Sequence, residues 1–360
     1  MKKKVVVGMS GGVDSSVCAW LLKEQGYEVI GATMQIWQSD VCKVEREGSC
    51  CGISAVEDAR RVASCLDIPY YVMNFREDFK KDVIDRFTSS YLKGLTPNPC
   101  IACNRYVKWG ALLRRCDEIG ADFLATGHYA RVVQLPNGRY TVKKSVTTAK
   151  DQTYVLYNLT QEELAHTLMP VGEYTKPQIR EIAEKLGLPV AHKKDSQDIC
   201  FVEDGDYARF IKDETGSLGK SGVFKTTDGQ VVGKHTGTVQ YTIGQRKGLG
   251  VALGHPVYVT GIDTESGDVY LGSNDDLFSD YLYATDINHM GEEHFDENKT
   301  YTAKIRYSQT SVPCHVKYVD GDTIRIDFEE KVRAATPGQA AVIYEGDFIA
   351  GGGMITNSKF

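Results

Sequence analysis

The sequence predicts an α/β N-terminal domain built on a doubly wound parallel sheet, followed by a small central domain and a C-terminal β-barrel. Three observations carry this. Strand-like and helix-like stretches alternate from Lys4 to about Ala130; a glycine-rich turn, Gly8-Met9-Ser10-Gly11-Gly12-Val13-Asp14-Ser15-Ser16, directly follows the first strand; and past Asp206 glycine becomes dense and short alternating runs replace the helices. Such alternation places helices on both faces of a parallel sheet, and ligands then bind beyond the C-terminal ends of its strands.

Val5-Val6-Val7, three consecutive β-branched residues, reads as a buried strand, and the run from Val17 to Leu22 as a helix. Glu28 to Met34 is a second strand, Ser54 to Leu66 a helix, Pro69 to Asn74 a third strand and Asp78 to Leu92 another helix. Tyr106 to Ile119 is helical, and Asp122 to Thr126 a further strand. Two helices follow between Thr160 and Leu186, the second capped by Thr175 with Pro177 in its first turn. Beyond Asp206, Thr238 to Thr242, Val257 to Thr260 and Asp268 to Leu271 read as strands. Tyr301 to Tyr307, Cys314 to Val319, Thr323 to Phe328, Ala340 to Tyr344 and Phe348 to Gly352 are enough to close a small barrel. The expected division is 1–205, 206–279 and 280–360.

A chain of 360 residues exceeds one ordinary core, so two or three domains are expected. The net charge of −6 and pI of about 5.8 argue, on average, against a nucleic-acid partner. Small basic groups at Lys143-Lys144, Lys150, Lys193-Lys194, Arg246-Lys247, Lys304, Arg306, Lys331 and Arg333 would form a binding face only if the fold gathers them. No stretch is long enough to cross a membrane, and Gly11, Gly12 and Asp14 interrupt the first apolar run before it resembles a signal peptide. A cytoplasmic protein is expected, its ten cysteines reduced and serving as small buried hydrophobes, metal ligands or reactive groups.

The glycine-rich turn is a phosphate loop of a particular kind. Val13 and Asp14 stand where a Walker A loop needs Lys, and the dinucleotide Gly-x-Gly-x-x-Gly is absent from this stretch. The glycines permit a sharp turn, while Asp14, Ser15 and Ser16 are residue types that cap a new helix, so backbone N–H groups converge on an anion. Ser10-Gly11-Gly12-Val13-Asp14-Ser15 resembles the pyrophosphate loop of the N-type ATP pyrophosphatases, which split ATP between its α and β phosphates and transfer AMP to a carbonyl oxygen.

Two cysteine-bearing stretches lie downstream. In Thr96-Pro97-Asn98-Pro99-Cys100-Ile101-Ala102-Cys103-Asn104, placed between two predicted helices, prolines fix the loop, and a Cys near a helix start is favoured as thiolate. Cys100 and Cys103 also have zinc-ligand spacing, but a structural site needs a second pair that Cys42, Cys50 and Cys51 do not supply at the usual separation. A plain buried pair is the third reading. In Asp195-Ser196-Gln197-Asp198-Ile199-Cys200-Phe201, a Cys beside Ile and Phe reads as core, against the polar residues ahead of it.

Taken with Ala125-Thr126-Gly127-His128-Tyr129-Ala130, Lys150-Asp151-Gln152-Thr153-Tyr154-Val155-Leu156, Tyr241-Thr242-Ile243-Gly244-Gln245-Arg246-Lys247-Gly248-Leu249 and Thr336-Pro337-Gly338-Gln339, these motifs resemble, in order, those of the bacterial tRNA-specific 2-thiouridylases. That family replaces oxygen by sulfur at C2 of the wobble uridine of tRNA, expected here for the tRNAs of lysine, glutamate and glutamine. The resemblance implies ATP, with Mg²⁺, at Gly8, Met9, Ser10, Gly11, Gly12, Val13, Asp14 and Ser15, with Met34 and Gly127 around adenine and ribose. It implies Cys103 as nucleophile and Cys200 as persulfide carrier, loaded by a cysteine desulfurase or a sulfur-relay protein. It places tRNA at Asn98, Pro99, Cys100, His128, Lys150, Asp151, Gln152, Tyr307, Ser308 and Gln339, and leaves the position of Cys100 variable, so that this thiol is expected to be incidental to catalysis. No metal site is implied among the protein's own residues. The alternative enzyme class is a small-molecule ligase using the same loop, which needs no pair of catalytic thiols.

Overall fold

The computed structural model describes residues 2–36, 53–194, 199–202 and 204–356. β1 (Lys4–Gly8) is followed by α1 (Val13–Glu24), β2 (Glu28–Gln35), α2 (Ile53–Cys65) and β3 (Tyr70–Asn74). A helical stretch over 76–92 consists of α3 (Arg76–Phe79) and α4 (Asp85–Leu92) joined through the π-helical turn Lys80–Ile84. A second, over 99–118, runs through α5 (Pro99–Ala102), a π-helical segment Cys103–Leu112 and α6 (Leu113–Glu118). Then come β4 (Phe123–Thr126), the hairpin β5 (Ala130–Gln134) and β6 (Tyr140–Lys144), α7 (Gln161–Ala165), β7 (Thr167–Leu168) and α8 (Lys176–Lys185).

The first sheet has the order β3-β2-β1-β4-β7 and is parallel throughout. Because side chains alternate along a strand, β1 feeds both faces. Val6 packs with Phe79, Phe87, Trp109 and Leu112 on one side, and Val5 and Val7 with Val17, Leu22, Val62 and Ile179 on the other. All three valines are fully buried. The loop after β1 therefore leaves from the middle of the sheet, at its C-terminal edge.

Past 206, α9 (Tyr207–Thr215) precedes β8 (Gly222–Thr226), β9 (Val231–His235), β10 (Tyr258–Ile262) and β11 (Val269–Gly272), a four-stranded sheet of order β10-β11-β8-β9 around Phe224, Tyr241, Val259 and Leu271. The last six strands are β12 (Phe278–His289), β13 (Tyr301–Lys304), β14 (Val312–Tyr318), β15 (Ile324–Arg333), β16 (Ala340–Glu345) and β17 (Phe348–Ile355). They run in the order β12-β15-β14-β13-β16-β17, and pairing of β12 with β17 closes the barrel. No helix of the described residues is long and apolar enough to cross a membrane.

Several elements differ from the sequence-based expectation. α1 begins at Val13, and its N-cap is Gly12, so Asp14, Ser15 and Ser16 sit inside the first turn rather than capping it. The Pro-rich stretch is already helical from Pro99, ahead of the start expected at Tyr106, so the cysteines expected at or near a helix start lie in the first turns of the helix itself. Thr238–Gln240 forms a 3₁₀ turn, not a strand, and α9 was not foreseen. The hairpin β5–β6, carried on the N-terminal part of the chain, pairs with β17 at Lys143 and Phe348 and so extends the barrel wall. Its pairing partner lies some two hundred residues away, beyond the reach of any local pattern.

Candidate active site

Residues from β1 to α1 form the floor of the site. Met9 donates its N–H to Ala32 O at 2.8 Å and its carbonyl accepts Thr33 Oγ1 at 2.7 Å, which ties the turn to β2. Gly11 has φ +68° and an added Cβ would strike the backbone of Ala55, so this position requires glycine. Among the described residues, a Cβ added at Gly12 would approach only Ser10 Oγ, at 3.4 Å, and none of them fills the space over the helix start. Since Gly12 has no side chain to cap α1, the first-turn N–H groups and the positive end of the helix dipole are presented to whatever occupies that space. Ser15 Oγ accepts from Ser10 N at 3.1 Å and donates to Gly12 O at 3.1 Å, which holds the turn in shape from within. Gly127 closes it from behind: a Cβ there would lie 2.6 Å from Ser15 N.

The side chain of Asp14 faces away from a simple capping role. Both of its oxygens accept Lys176 Nζ at 2.8 Å, and Oδ1 also accepts Tyr129 Oη at 2.7 Å. Lys193 Nζ donates to Gly11 O at 3.2 Å and pairs with Asp58 at 2.7 Å. Two lysines therefore flank the anion turn. Neither was singled out for this role from the sequence, because Lys176 stands in a helix-start pattern capped by Thr175, and only the fold brings α8 beside α1. Met34 is half-buried at the end of β2, on the same sheet edge.

A second group of residues descends from the helical stretch over 99–118. Asn98 is the N-cap of α5, its side chain accepting Cys100 N–H at 3.0 Å, and Pro99 is buried in the first turn. Cys100 is exposed and Cys103 half-buried. Cys200 is half-buried as well, beside Phe201, whose ring packs edge-on against Phe79 and Phe87. Cys103 and Cys200, far apart in sequence, lie against one and the same apolar cluster. Asp195 to Asp198, ahead of Cys200, fall outside the described residues, as do Cys42, Cys50 and Cys51. By contrast Cys18, Cys116 and Cys314 are buried, and burial pushes Cys116 and Cys314 up to about 12 and Cys18 further still, which keeps them as thiols.

Beside Cys103, Asn104 is buried, donating to Val155 O at 2.8 Å and accepting Lys108 Nζ at 2.9 Å. Lys108 Nζ also lies 3.5 Å from His128 Nε2, and His128 Nδ1 is 2.7 Å from Thr126 Oγ1. Burial, reinforced by the Lys108 charge, holds the His128 imidazole well below its ordinary pKa, so it is neutral. With Nε2 facing an ammonium, the ring proton belongs on Nδ1 and is donated to Thr126. This chain of contacts links the thiol helix to Gly127 and the anion turn.

The remaining residues expected near tRNA are divided between the surface and the interior. Asp151 accepts Ser145 N–H at 3.2 Å and Thr153 Oγ1 at 2.6 Å, and Gln152 Oε1 accepts Tyr129 N–H at 2.8 Å, so both hold their own loop in place. Tyr307 and Ser308 are exposed on the barrel. Lys304 Nζ sits over the rings of Tyr154 and Tyr307; burial lowers its pKa, opposed by Asp151 and reinforced by Lys144. Gln339 Nε2 donates to Thr96 O at 2.6 Å. Of the dispersed basic groups, Lys144 and Lys304 do converge, whereas Arg306 turns inward to Ile243 O and Ala334 O at 3.0 and 3.1 Å. Arg105 reaches the barrel from the thiol helix, pairing with Asp286 at 2.5 Å. Among the described residues no group of three or more His, Cys, Asp or Glu is placed to hold a metal.

Comparison with known proteins accounts for nearly the whole chain. The tRNA methyl transferase HUP domain family matches residues 3–204, the tRNA methyl transferase PRC-barrel domain 208–273 and the aminomethyltransferase β-barrel domain 279–355. The tRNA-specific 2-thiouridylase MnmA of Lachnoclostridium phytofermentans is 60% identical over 98% of this chain and 99% of that protein. The enzyme of the same name from Clostridioides difficile is 53% identical over 99% of each. Among solved structures, a 4-thiouridine synthetase–RNA complex with bound ATP aligns at a TM-score of 0.33 and 20% identity, over 55% of this chain and 45% of that one.

Proposed function

The chain belongs to the tRNA-specific 2-thiouridylase family, enzymes of tRNA uridine thiolation, and on that premise we propose that it activates the C2 oxygen of the wobble uridine with ATP and replaces it with sulfur carried as a persulfide on Cys200. A uracil C2 oxygen is a poor leaving group. Transfer of AMP to it creates a good one, and pyrophosphate is the other product. The uncapped start of α1, with Gly12 leaving room above it and Lys176 and Lys193 at its flanks, fits the phosphates of ATP. Asp14 is engaged by Lys176, so Mg²⁺ would be held chiefly by the nucleotide's phosphates and by water, lowering the charge on the departing pyrophosphate.

Sulfur then adds at C2 and AMP leaves. In one route the Cys103 thiolate attacks the inner sulfur of the Cys200 persulfide; hydrosulfide departs to attack C2, and Cys103 and Cys200 are left as a disulfide. In the other, the terminal sulfur of the persulfide attacks C2 itself and AMP leaves; the Cys103 thiolate then attacks Cys200 Sγ, the bond from Cys200 to the transferred sulfur breaks to release the thiolated base, and the same disulfide remains. The base must leave its stack to reach the sheet edge, and Asn98, Pro99, Cys100, Lys150, Tyr307 and Ser308 are the residues proposed to meet the tRNA, with Gln339, Asp151, Gln152 and His128 shaping the loops behind them.

The observation that supports this reading most is that Cys103 and Cys200 are half-buried while Cys18, Cys116 and Cys314 are buried and protonated. The test is to supply ATP, Mg²⁺, a cysteine desulfurase with cysteine, and unmodified tRNA, and to digest the tRNA for mass spectrometry. A 2-thiouridine nucleoside is expected. A protein that releases pyrophosphate with a small carboxylate or amide instead, and keeps that activity after its cysteines are alkylated, would be the rival ligase.

A further inference from the structure

We infer that Cys100 is a resolving thiol that takes over the Cys103 end of the Cys103–Cys200 disulfide after each sulfur transfer. The inference rests on the sulfide-release route proposed above. Its starting point is the geometry of one helical turn. Cys100 and Cys103 stand three residues apart in αR backbone, on the same face of the helix. In a regular α-turn such Cβ atoms are about 5–6 Å apart, somewhat beyond the roughly 3.5–4.5 Å of a disulfide. Here the turn is α-helical, with φ −60° and ψ −44° at Cys103, whose N–H is shared between Pro99 O and Cys100 O, so the remaining approach of about 1–2 Å comes from side-chain rotation and a small backbone adjustment at the helix end. Asn98 and Pro99 fix the turn from its N-terminal side, so the two cysteines are preset rather than drawn together by chance.

The three thiols differ in exposure. Cys200 is half-buried with its neighbour Phe201 packed edge-on against Phe79 and Phe87, and Cys103 is half-buried too. A disulfide between them would be shielded on that side from a reductant. Cys100 is exposed. The Cys100 thiolate attacks Cys103 Sγ; the Cys100–Cys103 bond forms, the Cys103–Cys200 bond breaks, and Cys200 leaves as a thiolate that takes up the proton Cys100 gave away. No net oxidation occurs in this exchange. Cys200 is at once ready for a new persulfide, and an external dithiol reductant removes two electrons' worth of oxidation from the accessible Cys100–Cys103 bond.

The experiment is a single turnover of the full-length enzyme without reductant, quenched by alkylation and mapped by mass spectrometry. Wild type should carry Cys100–Cys103 with Cys200 alkylated, and Cys100→Ser should trap Cys103–Cys200. With a dithiol reductant present, the ratio of second-turnover to first-turnover rate should fall at least fivefold in Cys100→Ser and equally in Cys100→Ala. Persistence of Cys103–Cys200 in wild type, an unchanged ratio, or a metal ion bound by Cys100 and Cys103 would overturn the inference. Thiolated tRNA formed with no disulfide in either protein would overturn it too while leaving the thiolation reading intact. A separate arm uses no tRNA: equilibration with glutathione disulfide should yield Cys100–Cys103 in the resting enzyme, and its absence would overturn the inference whatever the thiolation assay gives.

Discussion

Gln339, in the turn between β15 and β16 of the barrel, donates through Nε2 to the carbonyl of Thr96, which opens the segment leading into the thiol helix, at 2.6 Å. Thr96 N–H returns a bond to Pro337 O at 2.8 Å, and Tyr154 Oη donates to Ala340 O at 2.9 Å. The barrel thus holds the approach to Cys100 and Cys103 through the Gln339 side chain and through its own backbone. Gly338 sits at the centre of this contact, with φ +88° and with space for no Cβ, since one would lie 2.9 Å from Thr96 N. Gly338→Ala should cost about 1–3 kcal/mol for the left-handed backbone alone, and more because Thr96 must move. Urea denaturation should register the loss, and thiolation should fall with it even where the variant remains folded.

The glycines of the anion turn separate folding from function. Gly12→Ala should leave stability within about 1 kcal/mol of wild type, since φ is −103° and, among the described residues, only Ser10 Oγ is near. The methyl group would nevertheless occupy the space proposed for a phosphate. A drop of tenfold or more in tRNA-dependent pyrophosphate release, at an unchanged melting temperature, is expected. Gly11→Ala should instead destabilise, because its left-handed φ and the Ala55 backbone both oppose a side chain.

Lys176 and Asp14 are partly buried, at 12% and 30% side-chain exposure. Among the described residues, removing the cation leaves the Asp14 carboxylate with Tyr129 Oη as its remaining hydrogen-bond partner. Lys176→Met should therefore weaken ATP use through an unbalanced negative charge, and adding Asp14→Asn should recover part of the lost affinity. ATP-binding titrations on the two variants provide the measurement.

His128 makes stability depend on pH with a definite sign. The folded state keeps this imidazole neutral, whereas the unfolded chain takes up a proton below about 6.5. Protons then favour unfolding, so the contribution is at full strength above 6.5 and is lost as pH falls from there toward the depressed folded value. The slope from this one residue is at most about 1.4 kcal/mol per pH unit. His235 and His289 are lowered as well and add to the total. The check is the difference in slope between wild type and His128→Gln between pH 5 and 6.5.

Affinity for tRNA should fall steeply with salt in spite of the net charge of −6, because the contact would be with phosphates near Lys150, Lys144 and Lys304. Lys150→Glu should flatten the logarithmic salt slope by about 1. Filter-binding isotherms across a salt series report it directly.

Much of this was legible in the chain because it is local. The β-branched run of β1, the glycines of the turn after it and the start of α8 at Thr175 each follow from a few neighbouring residues. What escaped was non-local or competed with a stronger signal. Nothing near Ala130 or Tyr140 indicates that the hairpin pairs with Phe348, and nothing near Lys176 indicates that it meets Asp14. The two prolines at 97 and 99 suggested a loop, yet proline is well suited to a first helical turn, and Asn98 caps the helix that carries Cys103. Ser15 and Ser16 looked like caps and instead spend their hydroxyls on Gly12 O.

In the proposed mechanism Cys103 and Cys200 divide the sulfur transfer between them after the base has been activated without either thiol. The most direct measurement is to incubate wild type, Cys103→Ser and Cys200→Ser with ATP, Mg²⁺, a cysteine desulfurase with cysteine, and unmodified tRNA, and to analyse both tRNA and protein by mass spectrometry. Wild type should give 2-thiouridine. Cys200→Ser should form adenylated tRNA but neither thiolated base nor persulfide, and Cys103→Ser should retain a persulfide on Cys200 without completing the transfer. Full thiolation by Cys200→Ser would contradict the account.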